Sequence, residues 1–413
     1  MRQRFPNPWN IPAIMPPSQT PSDTTISRRA YRFVLLIGVL SLFADFTYEG
    51  ARSILGPYLA SLQASAAIVG TVTGFGELAG YALRLFSGRL ADATRQFWPI
   101  SIAGYLLQMT AVPALALTHN WQSAAVLIIL ERIGKAVRNP PRDVMLSYAA
   151  QEVGRYGWVF GIHESLDQMG ALAGPLLVAM VLARHGSYRE AFAVLALPAL
   201  INLCFVMLAW RLYPRPEALA VRRPANDAPD GLPRLFWVYL LGAGLIAAGF
   251  ADYPLIAFHF SRAHTVPNEW IAAFYAVAMA VSGAGSLLFG HLFDRYGFRI
   301  LIGLSLFSLL FAPLVFEGSF WMALAGSAIW GLGMGVHESI IPAAVAPMVA
   351  VDRRASAFGL FTAGYGVFWF AGSALMGVLY DRSVWATVVF CIAMQFAAIP
   401  IFIWIDKQTP KAP

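Results

Sequence analysis

Asp45, Glu49 and Arg52 stand at i, i+4 and i+7 inside one apolar stretch, so on a helix they share a face. Two carboxylates one turn apart repel when both are ionised, and a guanidinium beside them offsets that repulsion. A group held in that balance can gain and lose a proton as its local field changes, which is the chemistry of proton coupling. The alternative is a static Asp45–Arg52 or Glu49–Arg52 pair that locks helix packing. The coupling reading is preferred, with Asp45 or Glu49 as the proton carrier.

A second constellation runs from Glu131 through Lys135, Arg138 and Arg142 at offsets of 0, 4, 7 and 11, with Arg132 on its flank. Guanidinium forks suit carboxylate and phosphate, so Glu131, Arg132, Lys135 and Arg138 are read as substrate-binding. Arg142 and Asp143 lie nearer the membrane interface, where long side chains snorkel, and are read as gate contacts. Pro140-Pro141 between them is expected to break the helix ladder and bend the span. His163, Glu164 and Asp167 follow within one turn; Glu164 and Asp167 share a face and join the coupling set, while His163 joins the substrate set. Glu77 and Arg84, at i and i+7, need partners on other helices and are also placed at the substrate site. Later in the chain the candidates thin out to Asp252, Tyr253, His337, Glu338 and Tyr365, the tyrosines chosen because a polar tip has to be satisfied. Imidazole and carboxylate suit divalent metals, yet no tight ligand spacing joins His163, Glu164, Asp167, His259, His337 and Glu338. No metal and no cofactor is expected.

The elements that must hold these groups follow from composition. Of 413 residues 58% are hydrophobic and 12% are charged, too few charges to solvate a soluble protein of this size. Twelve apolar segments are counted, near 33–60, 66–86, 98–117, 121–147, 157–183 and 189–211, then 235–260, 270–290, 300–316, 320–348, 356–380 and 384–405. Each is long enough to cross about 30 Å of hydrocarbon as a helix. The proline-rich stretch 1–27 reads as a disordered cytoplasmic tail, and 213–233 as a cytoplasmic loop. They leave a first six-helix bundle over 28–212 and a second over 234–413. Nineteen of the 29 Lys and Arg fall in the tails and in the loops on their side, four (Arg184, Arg189, Arg262, Arg382) in the opposite loops and six inside spans. That bias puts both termini in the cytoplasm of a multi-pass protein of the cell's inner (plasma) membrane. It also accounts for the net charge of +7 without nucleic acid. Fifteen charged residues stay inside the spans, nine acids and six bases, and thirteen of them belong to the first half. Cys204 and Cys391 sit in apolar runs and imply no disulfide framework. Gly331-Leu-Gly333-Met-Gly335 lies within an apolar span and there is no nucleotide-binding loop, so neither an enzyme nor an ATP-driven pump is expected.

The halves repeat. Gly88-Arg-Leu-Ala-Asp92 after the second span matches Gly290-His-Leu-Phe-Asp294 after the eighth, and Leu172-Ala-Gly174 recurs as Phe370-Ala-Gly372. Six-helix repeats are the mark of an alternating-access carrier with its site at their interface. Twelve spans as six plus six, a charged central loop and these turns resemble the major facilitator superfamily over residues 30–405. The resemblance implies an all-α membrane fold of two pseudo-symmetric six-helix bundles, and gating roles for Gly88, Asp92, Gly290, Asp294 and Arg295. The first turn departs from the family pattern, with Ala93-Thr94-Arg95-Gln96 after Asp92. Gly170, Gly174 and Pro175 look like a short form of the family's antiporter motif and are placed with the gate. The 132–143 stretch is similar to a bacterial subgroup of exporters associated with drug-like molecules and metal chelates. The expected function is therefore a monomeric, proton-coupled exporter of a small organic molecule or metal chelate. Rivals are an importer or exchanger of a small organic anion held by Arg132, Lys135 and Arg138, and a non-transporting receptor or assembly partner on the same fold.

Overall fold

A backbone in hydrocarbon must satisfy its own polar groups, which leaves helices as the solution for segments this apolar. The computed structural model describes residues 23–153, 156–216, 232–345, 348 and 354–408, and among them the regular structure is helical throughout. The first bundle comprises α1 (Asp23–Arg52) with α2 (Leu55–Ser61), α3 (Ala66–Thr94), α4 (Phe97–Ala114), α5 (Trp121–Val153), α6 (Tyr156–Ala183), and α7 (Tyr188–Val194) with α8 (Ala196–Leu212). The second comprises α9 (Arg234–Gly249) with α10 (Tyr253–Ala263), α11 (Asn268–Tyr296), α12 (Phe298–Ser308) with α13 (Phe311–Phe316), α14 (Phe320–Ala343), α15 (Arg354–Arg382) and α16 (Val384–Gln408). Among the described residues, nine stretches combine span length with the necessary apolarity. The fourth span is not one of them because α5 carries Glu131, Arg132, Lys135, Arg138, Arg142 and Asp143. α1 begins at Asp23, inside the stretch expected to be tail.

Pro140 and Pro141 do not break α5, which runs through both. Neighbouring helices hold such a segment: Ser87 Oγ on α3 donates to the Ala136 carbonyl at 2.9 Å, just before the prolines.

Each bundle closes on itself, and among the described residues the two meet chiefly along four helix pairs: α3 with α15, α6 with α11, α2 with α10 and α3 with α10. Helix contacts in lipid depend on close packing of small residues. At the end of the molecule remote from α1's start this packing is tight. A Cβ on Gly56 of α2 would strike the Pro254 carbonyl of α10, and one on Gly377 of α15 would strike the Ala66 carbonyl of α3. Asp381 adds polar closure there, accepting from the backbone N–H groups of Ala66 (3.1 Å) and Ala67 (2.9 Å). This end is sealed.

Spans one and seven are discontinuous at corresponding places. The first breaks after Arg52, where Ser53 Oγ returns to the Gly50 carbonyl at 2.6 Å. The seventh breaks over Phe250–Asp252, with Asp252 capping α10 by accepting from Tyr253 N at 3.0 Å. The carbonyls freed at that break are taken by Trp330 Nε1 (to Ala251, 2.8 Å) and Gln395 Nε2 (to Gly249, 3.2 Å).

Candidate functional site

The two breaks face each other through one ion pair. Arg52 Nη2 donates to Asp252 Oδ1 at 2.8 Å, with side-chain exposures of 3% and 1%. Arg52 also lies 3.8 Å from Glu49 of its own helix and 3.7 Å from Glu77 of α3. It is therefore shared by three carboxylates, two from its own bundle and one from the other. A second link crosses beside it, Tyr275 of α11 donating to Glu49 Oε2 at 2.5 Å. An isolated buried charge is costly in hydrocarbon, and this mutual pairing offsets that cost.

Around that hub the network stays within the first bundle. Arg132 reaches Glu77 at 3.1 Å and Glu131 at 3.6 Å. Glu131 accepts from Gln108 Nε2 at 2.9 Å, and the other face of that amide accepts from Arg138 Nε at 2.6 Å. Arg138 is fully buried and also donates to Asp45 at 3.2 Å and to Tyr105 Oη at 3.3 Å. Asp45 is thus paired with Arg138 of α5. Of the two pairings foreseen within the first span, Glu49–Arg52 forms and Asp45 goes elsewhere, because two helical turns separate Asp45 from Arg52.

Nearer the chain termini a smaller network joins α1, α5 and α6. Arg142 binds Asp143 Oδ1 through Nε (2.9 Å) and Nη2 (2.8 Å), and donates to Ser41 Oγ at 3.2 Å; that hydroxyl lies 2.8 Å from His163 Nε2. His163, Glu164 and Asp167 present ligand atoms within 4.8 Å of one another. His163 is buried in this network, whereas Glu164 is exposed.

A polar cleft opens between the bundles on the terminal side of Arg52. It encloses about 50 Å³ accessible to water, opening into about 410 Å³ with the adjoining solvent, and is lined by Tyr48, Arg52, Glu77, Gly80, Tyr81, Arg84, Arg132 and Lys135 from one bundle, with Met334 and Glu338 from the other. Six of the proposed site residues thus meet there: Glu77, Arg84, Arg132, Lys135, Arg52 and Glu338. Glu131, Arg138 and Asp252 stand behind its wall. Tyr253 does not reach the cleft: it is fully buried, its hydroxyl donates to the Ile271 carbonyl at 2.9 Å, and its ring packs on Tyr275. His337 bonds Tyr365 and packs on Phe250 at 4.3 Å inside the second bundle.

Gly170 and Gly174 let α6 lie directly on α1: a Cβ on either would strike the Leu42 or Phe46 carbonyl. That contact is internal to the first bundle. Pro175 lies inside α6 without ending it. Gly88 and Asp92 lie in the last turns of α3, and Gly290, Asp294 and Arg295 in those of α11. The side chains of Asp92 and Asp294, and the surroundings of Gly290, lie outside the described residues. The missing family glycine of the first turn is replaced by Arg95, which ends α3 in the left-handed conformation (φ 57°, ψ 18°), whereas Gly297 ends α11 with a positive φ (59°) but ψ −141°, outside that region. Sequence reasoning missed Tyr48, Gln108, Tyr275 and Asp381. The first three are neutral and lie in apolar runs, so no charge marked them; Asp381 was visible only as an acid at a span end.

The chain matches the sequence profile of the Major Facilitator Superfamily over residues 35–299 and 235–413. It is 42% identical to an uncharacterised protein of Mycobacterium tuberculosis (strain H37Rv) over 376 residues, covering 90% of this chain and 92% of that one. It is 27% identical to the multidrug resistance protein MdtH of Cronobacter sakazakii over 228 residues, 53% of each chain. Its fold resembles that of the crystal structure of the nucleoside transporter NupG, with a TM-score of 0.72, 15% identity, and coverage of 90% of this chain and 99% of that one.

Proposed function

The chain belongs to the major facilitator superfamily, and from that premise we propose that it is a proton-coupled secondary transporter that exports a small molecule by alternating access. The observation that carries the reading is Arg52, buried between Glu49 and Glu77 of one bundle and Asp252 of the other. With both termini cytoplasmic, as the distribution of Lys and Arg supports, the sealed end faces away from the cytoplasm and the cleft faces it.

Proton coupling has an electrostatic basis in the cleft and its wall. Six carboxylates (Asp45, Glu49, Glu77, Glu131, Asp252, Glu338) face five cations (Arg52, Arg84, Arg132, Lys135, Arg138), an excess of one acid that a single proton neutralises. Glu49 is the carrier this reading selects, because it touches both Arg52 and Tyr275. A proton on Glu49 removes one of the two acids that compete with Asp252 for Arg52. The attraction released at 3.8 Å is about 4 kcal/mol at an effective dielectric of about 20. Making the Tyr275 bond neutral gives back about 1 kcal/mol. Protonation therefore tightens Arg52 on Asp252 and favours the sealed state; loss of the proton to the cytoplasm loosens it and lets the loaded carrier open outward. That sequence exchanges an inward proton for an outward substrate. The likeness to MdtH and the Gly170/Gly174/Pro175 element support export.

The test needs no substrate. Proteoliposomes on a solid-supported membrane, given a pH step, should show a transient charge displacement from proton uptake inside the protein. Glu49→Gln should abolish it, and Asp45→Asn should leave it in place. An undiminished current in Glu49→Gln would overturn the assignment.

A further inference from the structure

Within the cleft most charges are already spoken for: Arg52 and Arg132 share Glu49, Glu77, Glu131 and Asp252. Three are not. Among the described residues, Lys135 has no carboxylate within ion-pairing distance, and its Nζ lies 3.7 Å from the centroid of the Tyr48 ring. Arg84 likewise has no carboxylate; its guanidinium lies 5.2 Å over the Tyr81 ring and its buried Nε has no hydrogen-bond partner. Glu338, exposed on α14 of the opposite bundle, lines the same space, and among the described residues no cation lies within ion-pairing distance of it.

We propose that the cleft binds a small carboxylate–ammonium zwitterion, its carboxylate held by Lys135 and Arg84 and its ammonium by Glu338. This rests on the transport reading above and names its substrate class. A ligand with only the anionic group would cover Glu338, exposed in the open cleft, without giving it a partner; one with only the cationic group would do the same to Lys135 and Arg84. Charges desolvated without partners are what such a site rejects. The anchors come from different bundles, so a ligand that spans them contacts both halves. Tyr48 and Tyr81 line the cleft beside these anchors and hold Lys135 and Arg84 over their rings. Arg84 lies seven residues beyond Glu77 on α3, about 10 Å farther toward the chain termini, so the anchors stand clear of the Arg52 hub. Gly80 sits between Glu77 and Arg84 on the cleft wall, and a Cβ built there meets nothing within 4 Å. The space beside it is where the ligand's chain lies.

Isothermal titration calorimetry on the detergent-purified full chain tests this with ω-amino acids from glycine through γ-aminobutyrate to ε-aminocaproate. Caproate and hexylamine serve as single-charge controls. At least one zwitterion should bind, with each control weaker by about 30-fold or more, the loss expected when one partner of a buried charge pair is deleted. Glu338→Gln should weaken the zwitterion and close its advantage over caproate; Lys135→Gln and Arg84→Gln should close its advantage over hexylamine. Gly80→Leu, which fills open space without a backbone clash, should shorten the longest chain that binds, and it reads the site even where a charge variant fails to fold. Caproate binding as tightly as every zwitterion makes this an anion site and overturns the proposal, as does the absence of binding by the whole series. Because the titration needs no gradient, the two readings separate. Zwitterion binding without a pH-step current overturns the coupling alone; the current without zwitterion binding overturns the substrate class alone.

Discussion

Asp252→Asn removes the charge that ties Arg52 to the second bundle while leaving most of its surroundings intact. Asparagine caps a helix start as well as aspartate does, so α10 keeps the bond that Asp252 accepts from Tyr253 N. Arg52 loses its 2.8 Å partner but retains Glu77 at 3.7 Å and Glu49 at 3.8 Å. Deleting one member of a buried pair costs about 3–5 kcal/mol when the other is left alone. With two carboxylates still at hand the loss falls to about 1–3 kcal/mol, and it falls on the sealed state, where the bundles meet. The state open at the α2–α10 end should therefore gain population by about 5- to 150-fold. Double electron–electron resonance reads this directly. Spin labels on Ser61→Cys at the end of α2 and Ala263→Cys at the end of α10, both exposed, are placed after Cys204→Ser and Cys391→Ala remove the free thiols. Wild type should give one short distance, and Asp252→Asn should add a longer one. An unchanged distribution accompanied by a lowered melting temperature would refute the reasoning, because the pair would then serve packing and not the gate.

Three further outcomes follow from the same geometry. Arg138→Met strands Asp45 and Gln108 around a fully buried site and should lower stability by about 3–5 kcal/mol. The double variant Asp45→Asn/Arg138→Met should recover part of that, read as the thermal midpoint in detergent. Gly174→Val drives a side chain into the Phe46 carbonyl and should prevent α6 from seating on α1, seen as loss of monodisperse protein; Gly161→Ala, where a Cβ meets nothing within 4 Å, should stay within about 0.5 kcal/mol of wild type. Asp381→Ala deletes the acceptor for Ala66 N and Ala67 N at the sealed end. It should cost about 0.5–2 kcal/mol and broaden the distance between the same two spin labels.

The sequence showed which side chains were too expensive to be accidental, and less of what they would touch. Span lengths and the bias of Lys and Arg gave the helical fold, because hydrocarbon admits few alternatives. The i, i+4, i+7 spacing placed Glu49 beside Arg52, since a helix fixes neighbours within a turn or so. It left open whether Asp45 or Glu49 pairs with Arg52 and did not show that Asp45 instead meets Arg138 of α5, because spacing along one helix carries no information about which face of another lies opposite. Tyr253 was selected for its polar tip, and the tip is satisfied by the Ile271 carbonyl inside the bundle. Tyr275 and Gln108, which join the network as a neutral donor and a two-faced amide, look in sequence like any polar residue in an apolar run. The ladder gap expected at Pro140-Pro141 frees the Ala136 carbonyl, yet α5 stays continuous because Ser87 of α3 takes that carbonyl.

The two helix breaks and the ion pair between them belong to one device. Arg52 and Asp252 are 200 positions apart, the separation at which the halves repeat to within two residues, so the pair joins equivalent points of the two bundles. Broken helices are tolerated at membrane depth only where freed backbone groups find partners, and here those partners are side chains packed around a buried charge. Of the three carboxylates on Arg52 only Asp252 belongs to the other bundle. When the bundles part, Arg52 has to surrender Asp252 alone and keeps Glu49 and Glu77, so neither state strands the guanidinium. A hub whose single acid lay across the interface would have no second resting place, and one with all three across it would never open. Two on the near side and one on the far side allow a carrier to rest in either state, and under the proposed coupling a proton on Glu49 would set the balance.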